Sequence, residues 1–245
     1  AVADLEQWIR LGAPWPSETA QVTAKREHGF SITDEDRDYW AFRPVKHPRL
    51  AKRNGNQAPI DQLIQAQHDV RGIAANPSAD KATLIRRAYF DLIGLPPTSA
   101  EVAAFENEHV ANPQQTMTKL VDRLLASPEY GERWGRHWLD VARYADTDGY
   151  QNDSQRENWP WRDWVIKAYR ENMPFDQFTI EQLAGDMLLD ATKHQQLASA
   201  FNRNHRQNGE GGALAAEFRV ENIIDRVETT STVWLGLTTG CARCH

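Results

Sequence analysis

The residues of this 245-residue chain that could do chemistry crowd into its last six letters, Gly240-Cys241-Ala242-Arg243-Cys244-His245. Both cysteines of the sequence stand there, spaced C-x-x-C and followed directly by a histidine. Covalent haem attachment needs two thiols that reach the two vinyl groups of one porphyrin, and an imidazole that then falls beneath the iron. One helical turn between the thiols, with the histidine adjacent, meets that demand. Cys241 and Cys244 then read as the thioether anchors of haem c, and His245 as the proximal iron ligand. Other chemistries share part of the pattern. A structural zinc ion needs four ligands, and no second cysteine pair or histidine couple lies at short range. A thioredoxin-like dithiol expects a preceding strand and a following helix inside an α/β pattern that this sequence lacks. Haem c is the preferred reading; zinc, a redox dithiol and an inert pair are its alternatives.

A sixth iron position calls for one more donor, and a thioether there would raise the reduction potential relative to a second imidazole. His205 and Met187 are the candidates carried forward from a group that also holds Met173 and His137. His205 lies in the polar, glycine-rich "NRNHRQNGEGG", where few apolar neighbours would hold it as core. His137, beside the tryptophans of "RWGRHWLDVARYAD", reads as a core histidine bonded to Asp140 or a carbonyl.

Three further clusters have a chemical and a bland reading. Asp146, Asp148, Asn152 and Asp153 surround Gly149 like part of a calcium loop, but the twelve-residue spacing and closing glutamate are missing, so a solvated acidic turn is favoured. Trp159, Trp161 and Trp164 would suit a sugar-stacking platform, yet tryptophans near prolines more often pack a loop onto a core. Charges from Glu210 to Glu228 read mainly as surface ion pairs, with a propionate or substrate contact, or a hydrolase on Glu210 and Asp225, as the chemical options. No catalytic residue is assigned.

Apolar periodicity places these groups on helices. Val2, Leu5, Trp8 and Ile9 share a helical face before Gly12 and two prolines, so residues 1–16 read as the last helix of a preceding domain. Residues 17–58 are polar and broken, an extended linker whose Tyr39, Trp40 and Phe42 are expected to dock on the main body. Residues 59–245 form the main body. Its signals include a Thr98–Glu101 capping box, an N-cap at Ser127 before Pro128, and helices over about 161–171, 175–188, 193–203 and 214–236. No stretch alternates with period two. The expected class is all-α: an irregular multi-helix domain with long loops near 145–160 and 204–213, preceded by a terminal helix and an extended linker.

Composition narrows the partners. Apolar residues make up 40% of the chain, enough for a real core. Twenty-eight basic and 34 acidic side chains give a net charge of −6, and no lysine or arginine run could track a phosphate backbone, so nucleic acid is not an expected partner. No stretch approaches the roughly 20 apolar residues of a membrane span. A start at Ala1 inside a helical pattern, and an end on the last letter of a motif, read as an excerpt from a longer protein.

The stretches "ADKATLIRRAYFDLIGLPPTSAEV", "LVDRLLASPEYGERWGRHWLDVARYADTDGY", "MPFDQFTIEQLAGD" and "NGEGGALAAEFRVENIIDRVETTSTVWLGLTTGCARCH" together resemble the second conserved block of the planctomycete cytochrome-type family, a domain of unknown function. The opening "LEQWIRLGAPWP" is similar to the closing helix of the small c-type cytochrome domain that stands before that block. The resemblance implies an exported, periplasm-facing protein with covalent haem c. It implies also that neighbouring cytochrome c-like and C-terminal domains of the same polypeptide are its partners, and that the complete chain continues past the motif. Only Cys241, Cys244 and His245 carry over as functional residues. The resulting expectation is an electron-transfer or redox module acting on an unidentified substrate. The alternative is a non-catalytic scaffold that binds polysaccharide or a partner domain through an unmetallated or structural C-x-x-C-H.

Overall fold

The structure, a computed structural model, describes residues 2–11, 32–48 and 58–244. His245 therefore lies outside the described residues, as does much of the expected linker. The chain divides into two units, Ala1–Asn76 and Pro77–His245. The first holds α1 (Val2–Arg10), the short α2 (Asp34–Arg37), a 3-10 turn over Trp40–Phe42 and α3 (Pro59–Arg71). Thr33 and Asp36 cap α2 reciprocally: the Asp36 carboxylate accepts from the Thr33 amide at 2.9 Å and the Thr33 hydroxyl from the Asp36 amide at 3.2 Å. Tyr39, Trp40 and Phe42 are exposed, and the Tyr39 ring centroid stands 5.8 Å from that of Trp40 and 6.0 Å from that of Phe42.

The second unit is built on two apolar cores. In the first, α4 (Lys81–Leu92), α5 (Ser99–Ala111) and α6 (Pro113–Leu125) bury Ile85, Ala88, Tyr89, Phe105, Leu120 and Leu124. The expected Thr98–Glu101 capping box opens α5. The same Glu101 carboxylate also accepts from the Tyr89 hydroxyl at 2.5 Å, and Arg123 donates to that hydroxyl at 3.0 Å, so one acid caps a helix and ties α4, α5 and α6 together. These bonds, the Tyr89 hydroxyl first, hold the Glu101 carboxyl down at about 2.

The second core gathers α7 (Pro128–Val141), α8 (Trp159–Arg170), α9 (Phe175–Ala184) and α10 (Lys193–Ala198). Trp161, Trp164, Val165, Phe178 and Phe201 fill it, with Trp138 and Trp234 packed against them. Three indoles of the cluster find partners: Trp161 donates to the Ala198 carbonyl at 3.0 Å, Trp138 to Gln182 Oε1 at 2.9 Å and Trp164 to His194 Nδ1 at 3.0 Å, while the buried Trp234 N–H has none. Helices α7 and α8 touch almost backbone to backbone at Gly131, where a Cβ would stand 2.7 Å from the Ile166 carbonyl oxygen and 2.3 Å from the Arg170 Cγ. Gly135, one turn on, has ordinary clearance: its nearest contact would be 3.4 Å.

Periodicity located these helices to within a few residues and overran three of their ends. Helix α9 stops at Ala184 and passes into a 3-10 turn over Gly185–Met187; α10 does the same over Ser199–Arg203. The last helix, α11 (Ala215–Thr230), widens into a π turn over Ser231–Leu235 and closes on Gly236 at φ 64°. Ser127 does not cap α7: its hydroxyl donates back to the Leu124 carbonyl at 2.9 Å, because only two residues separate α6 from α7 and that orphan acceptor is within reach. No strand occurs among the described residues, only an isolated antiparallel bridge between Thr147 and Gln155. No described helix is long and apolar enough to cross a membrane.

Two outcomes follow from these contacts. Gly131→Ala is expected to cost ~2 kcal/mol through overpacking against α8, while Gly135→Ala is tolerated; thermal melts followed by circular dichroism compare them. The stabilising share of Glu101 is present above its ordinary value of 4.5 and lost as pH falls through about 2. Glu101→Gln is therefore less stable than the parent at neutral pH, with the gap closing on acidification, as denaturant titrations at a series of pH values will read.

Candidate functional site

The terminal motif forms a 3-10 turn over Gly240–Arg243, in which the Ala242 amide donates to the Thr239 carbonyl at 2.9 Å and the Cys244 amide to the Cys241 carbonyl at 3.3 Å. One turn thus separates the cysteines, as the spacing predicts, and both are free and exposed. The turn is fastened to α11 by its last side chain: Arg243 donates to the Glu221 carboxylate. Gly240 lies close to the Glu228 carboxylate, two turns along the same helix, where a Cβ would come within 2.6 Å of an oxygen.

Arg243 also reaches into a groove between α11 and the 204–213 loop. Part of it is a cavity of about 190 Å³ lined by Arg243, Tyr150, His205, Phe218, Glu221 and Asp225. A second, of about 360 Å³, continues along His205, Arg206, Phe218 and Asn222. Neither cysteine lines either cavity.

The groove is assembled by arginines. At the end of α7, Arg143 adopts φ 56°, and its guanidinium grips both oxygens of Asp225, with Nε donating at 3.2 Å to one of them. Left-handed backbone at a non-glycine residue costs of the order of 1–2 kcal/mol, and the bidentate pair offsets it. Arg156 donates to the His205 carbonyl at 2.9 Å and, at longer range, to the Asn204 and Arg203 carbonyls, so one guanidinium holds three consecutive peptide groups. Asn158 adds a bond to Asn204 Oδ1 at 2.6 Å. Arg226 of α11 reaches the Asn202 carbonyl at 2.9 Å and His205 Nε2 at 3.2 Å.

His205 is consequently buried with both ring nitrogens engaged. Its Nδ1 stands 3.0 Å from the Arg206 carbonyl, which can only accept; Nε2 faces the Arg226 guanidinium, which can only donate. Those partners assign the neutral Nδ1–H tautomer. Ligation through Nε2 would require the Arg226 bond to be given up. Met187, the other sixth-ligand candidate, is 81% exposed in the Gly185–Met187 turn and lines neither cavity of the groove. His137, expected in the core, is exposed beside Trp134, because α7 turns that face outward.

The acidic loop is consumed by its own folding. Asp153, at φ 40°, accepts from the Gly149 amide at 2.8 Å, and bonds from Thr147 and Gly149 hold its carboxyl below the ordinary range. Asp146 accepts from the Tyr144 hydroxyl, which burial first and this bond second push up to about 12. Among the described residues no group of three or more His, Cys, Asp and Glu is placed to hold a metal ion. Of the three tryptophans considered as a platform, Trp161 and Trp164 are core, and only Trp159 is exposed. Asp225 is paired with Arg143, whereas Glu210 keeps one buried carboxylate oxygen without a partner.

Residues 59–245 match the model of a protein family described as PSCyt2, protein of unknown function (DUF1549). No curated protein and no solved structure matches the chain.

Arg156→Leu would strip the donors from three consecutive carbonyls. It is expected to cost ~2 kcal/mol and to open the 204–213 loop to proteolysis, measured by denaturant unfolding and by mass mapping of a limited digest.

Proposed function

The chain belongs to the PSCyt2 family, and from that membership together with its terminal motif we propose that it is a haem c module of an exported redox protein. The observation that carries the reading is the pair of cysteines: they are the chain's whole complement, spaced C-x-x-C-H, and Cys241 and Cys244 are unpaired, exposed and one turn apart. Thiols that are to bond a large planar group from outside must be accessible and must point from one short turn; these residues fit that demand. Bound there, haem c would supply a one-electron iron centre. His245 would be its proximal ligand.

The remaining work falls to residues around the turn. Arg243 and Glu221 hold it against α11, fixing where the thiols sit relative to the groove. The groove's two cavities, of about 190 and 360 Å³, share His205 and Phe218, and sites for drug-sized ligands run to ~300–1,000 Å³. Lined by Arg206, Glu221, Asp225 and Arg243, the groove suits a small polar substrate, with the His205 ring held in its wall. Haem attachment of this type takes place outside the cytoplasm, so the module would work in the periplasm or beyond, exchanging electrons with a cytochrome c-like neighbour in the same polypeptide.

Exported in a host equipped with a cytochrome-maturation system, the chain should give a pyridine haemochrome spectrum and keep its haem through a denaturing gel. The Cys241→Ala, Cys244→Ala pair should lose both signals. A parent chain that emerges without covalent haem would sink the reading.

A further inference from the structure

We propose that the aromatic cavity at the α8–α9 turn binds a quaternary ammonium group. Four rings surround it: Tyr130 from α7, Tyr169 from α8, and Phe175 and Phe178 from α9. Met173 and Asn172 complete the wall. The cavity measures about 150 Å³, a size that elsewhere takes up a benzene molecule, so it holds a compact group of a few heavy atoms.

Its geometry is that of a corner. The rings of Tyr169 and Phe178 meet at 76° with centroids 5.9 Å apart, and Phe175, 67% exposed, stands at the mouth. The turn that sets this corner is fixed: Asn172 adopts φ 49°, its amide bonds the Tyr169 carbonyl at 3.2 Å, and the Met173 amide bonds the Ala168 carbonyl at 2.9 Å. The wall is therefore preformed before any ligand arrives.

Chemistry selects the occupant. No lining residue carries a formal charge, and burial raises the Tyr169 hydroxyl above its ordinary value, so that ring stays neutral. Ring faces carry the negative side of the aromatic quadrupole and attract a cation within about 6 Å of the centroid. A primary ammonium would surrender a strong hydration shell and find few acceptors for its three N–H groups. A methylated ammonium has no N–H to satisfy, presents apolar methyls to the rings, and adds the polarisable Met173 sulfur to its contacts. A neutral group of equal size gains the same apolar contact without the attraction to the ring faces.

The test is a pair of NMR titrations of the chain, with choline and with its carbon isostere 3,3-dimethylbutan-1-ol. Choline is expected to shift the resonances of Tyr130, Tyr169, Phe175 and Phe178 with a Kd on the order of millimolar. The isostere should bind at least about fivefold more weakly. Phe175→Ala, which removes an exposed ring, should weaken choline about tenfold, Tyr169→Leu should do likewise, and Tyr169→Phe should retain binding. Circular dichroism reports whether each variant is folded, and the exposed Phe175 site carries the test if Tyr169→Leu is not. Equal binding of the two ligands overturns the proposal, as does choline binding indifferent to Phe175→Ala, or no shift at these residues by about 50 mM choline.

Discussion

Helix α11 is held in place by charge. Only Thr229 of its sixteen residues is buried, and Val220, Ile223 and Val227 face outward. What binds its inner side is a set of guanidinium contacts: Arg143 on Asp225, Arg226 on His205 and Asn202, and Arg243 returning from the terminal turn to Glu221. The groove, the placement of His205 and the attitude of the cysteine turn all depend on these links. Half-exposed ion pairs contribute on the order of 1 kcal/mol or less each, so this side of the domain is held much less firmly than the tryptophan core beneath it. Added salt screens such contacts, and the groove should loosen before the core does.

The contrast with the rest of the unit is one of materials. Around Trp138, Trp161, Trp164, Phe178 and Phe201 the helices close on aromatic surface at near backbone contact, with indole N–H groups bonded inside. In the α4–α6 bundle, Glu101 performs two tasks at once, opening a helix and pinning Tyr89. The groove is joined to this scaffold through Arg143, at the end of α7, which grips Asp225, and Arg156, just before α8, which holds the His205 carbonyl. Function-bearing loops positioned by a firm scaffold are a common arrangement, and here the connection is made through very few side chains.

Much of this could be read from the letters because the signals are local. The helical periods, the Thr98–Glu101 capping box and the all-α class need only residues within a turn or two of one another, and so does the C-x-x-C spacing. The misses involve groups far apart in the chain. Nothing near Arg156 hints that it will bond carbonyls 47 to 49 residues on, nor does "NRNHRQ" announce that Arg226 will occupy the free nitrogen of His205. A polar, glycine-rich setting argued that His205 had no core to hold it, whereas hydrogen bonds from distant arginines bury it as firmly as apolar packing would. His137 failed in the opposite way: Trp138 and Leu139 turn to the core, whereas the neighbour that shares its face, Trp134, is itself exposed. The tryptophans divided because Trp161 and Trp164 share a helical face that Trp159 does not.

The π turn at Ser231–Leu235 bears on how the motif came to sit where it does. Along α11 the inward positions are Phe218, Asn222, Asp225 and Thr229, spaced by four, three and four. Continued at that rhythm, the sequence would next turn Thr232 or Val233 toward the core; Thr232 is exposed and Val233 packs on the core, but the next residue, Trp234, also turns inward and reaches Trp138 and Phe201. The widened turn absorbs one residue and shifts the angular phase of everything after it by about 100°. Chain length between α11 and the cysteines therefore acts as a rotary setting: losing one residue there would swing Trp234 out of the aromatic cluster and redirect both thiols, though every helix remained intact.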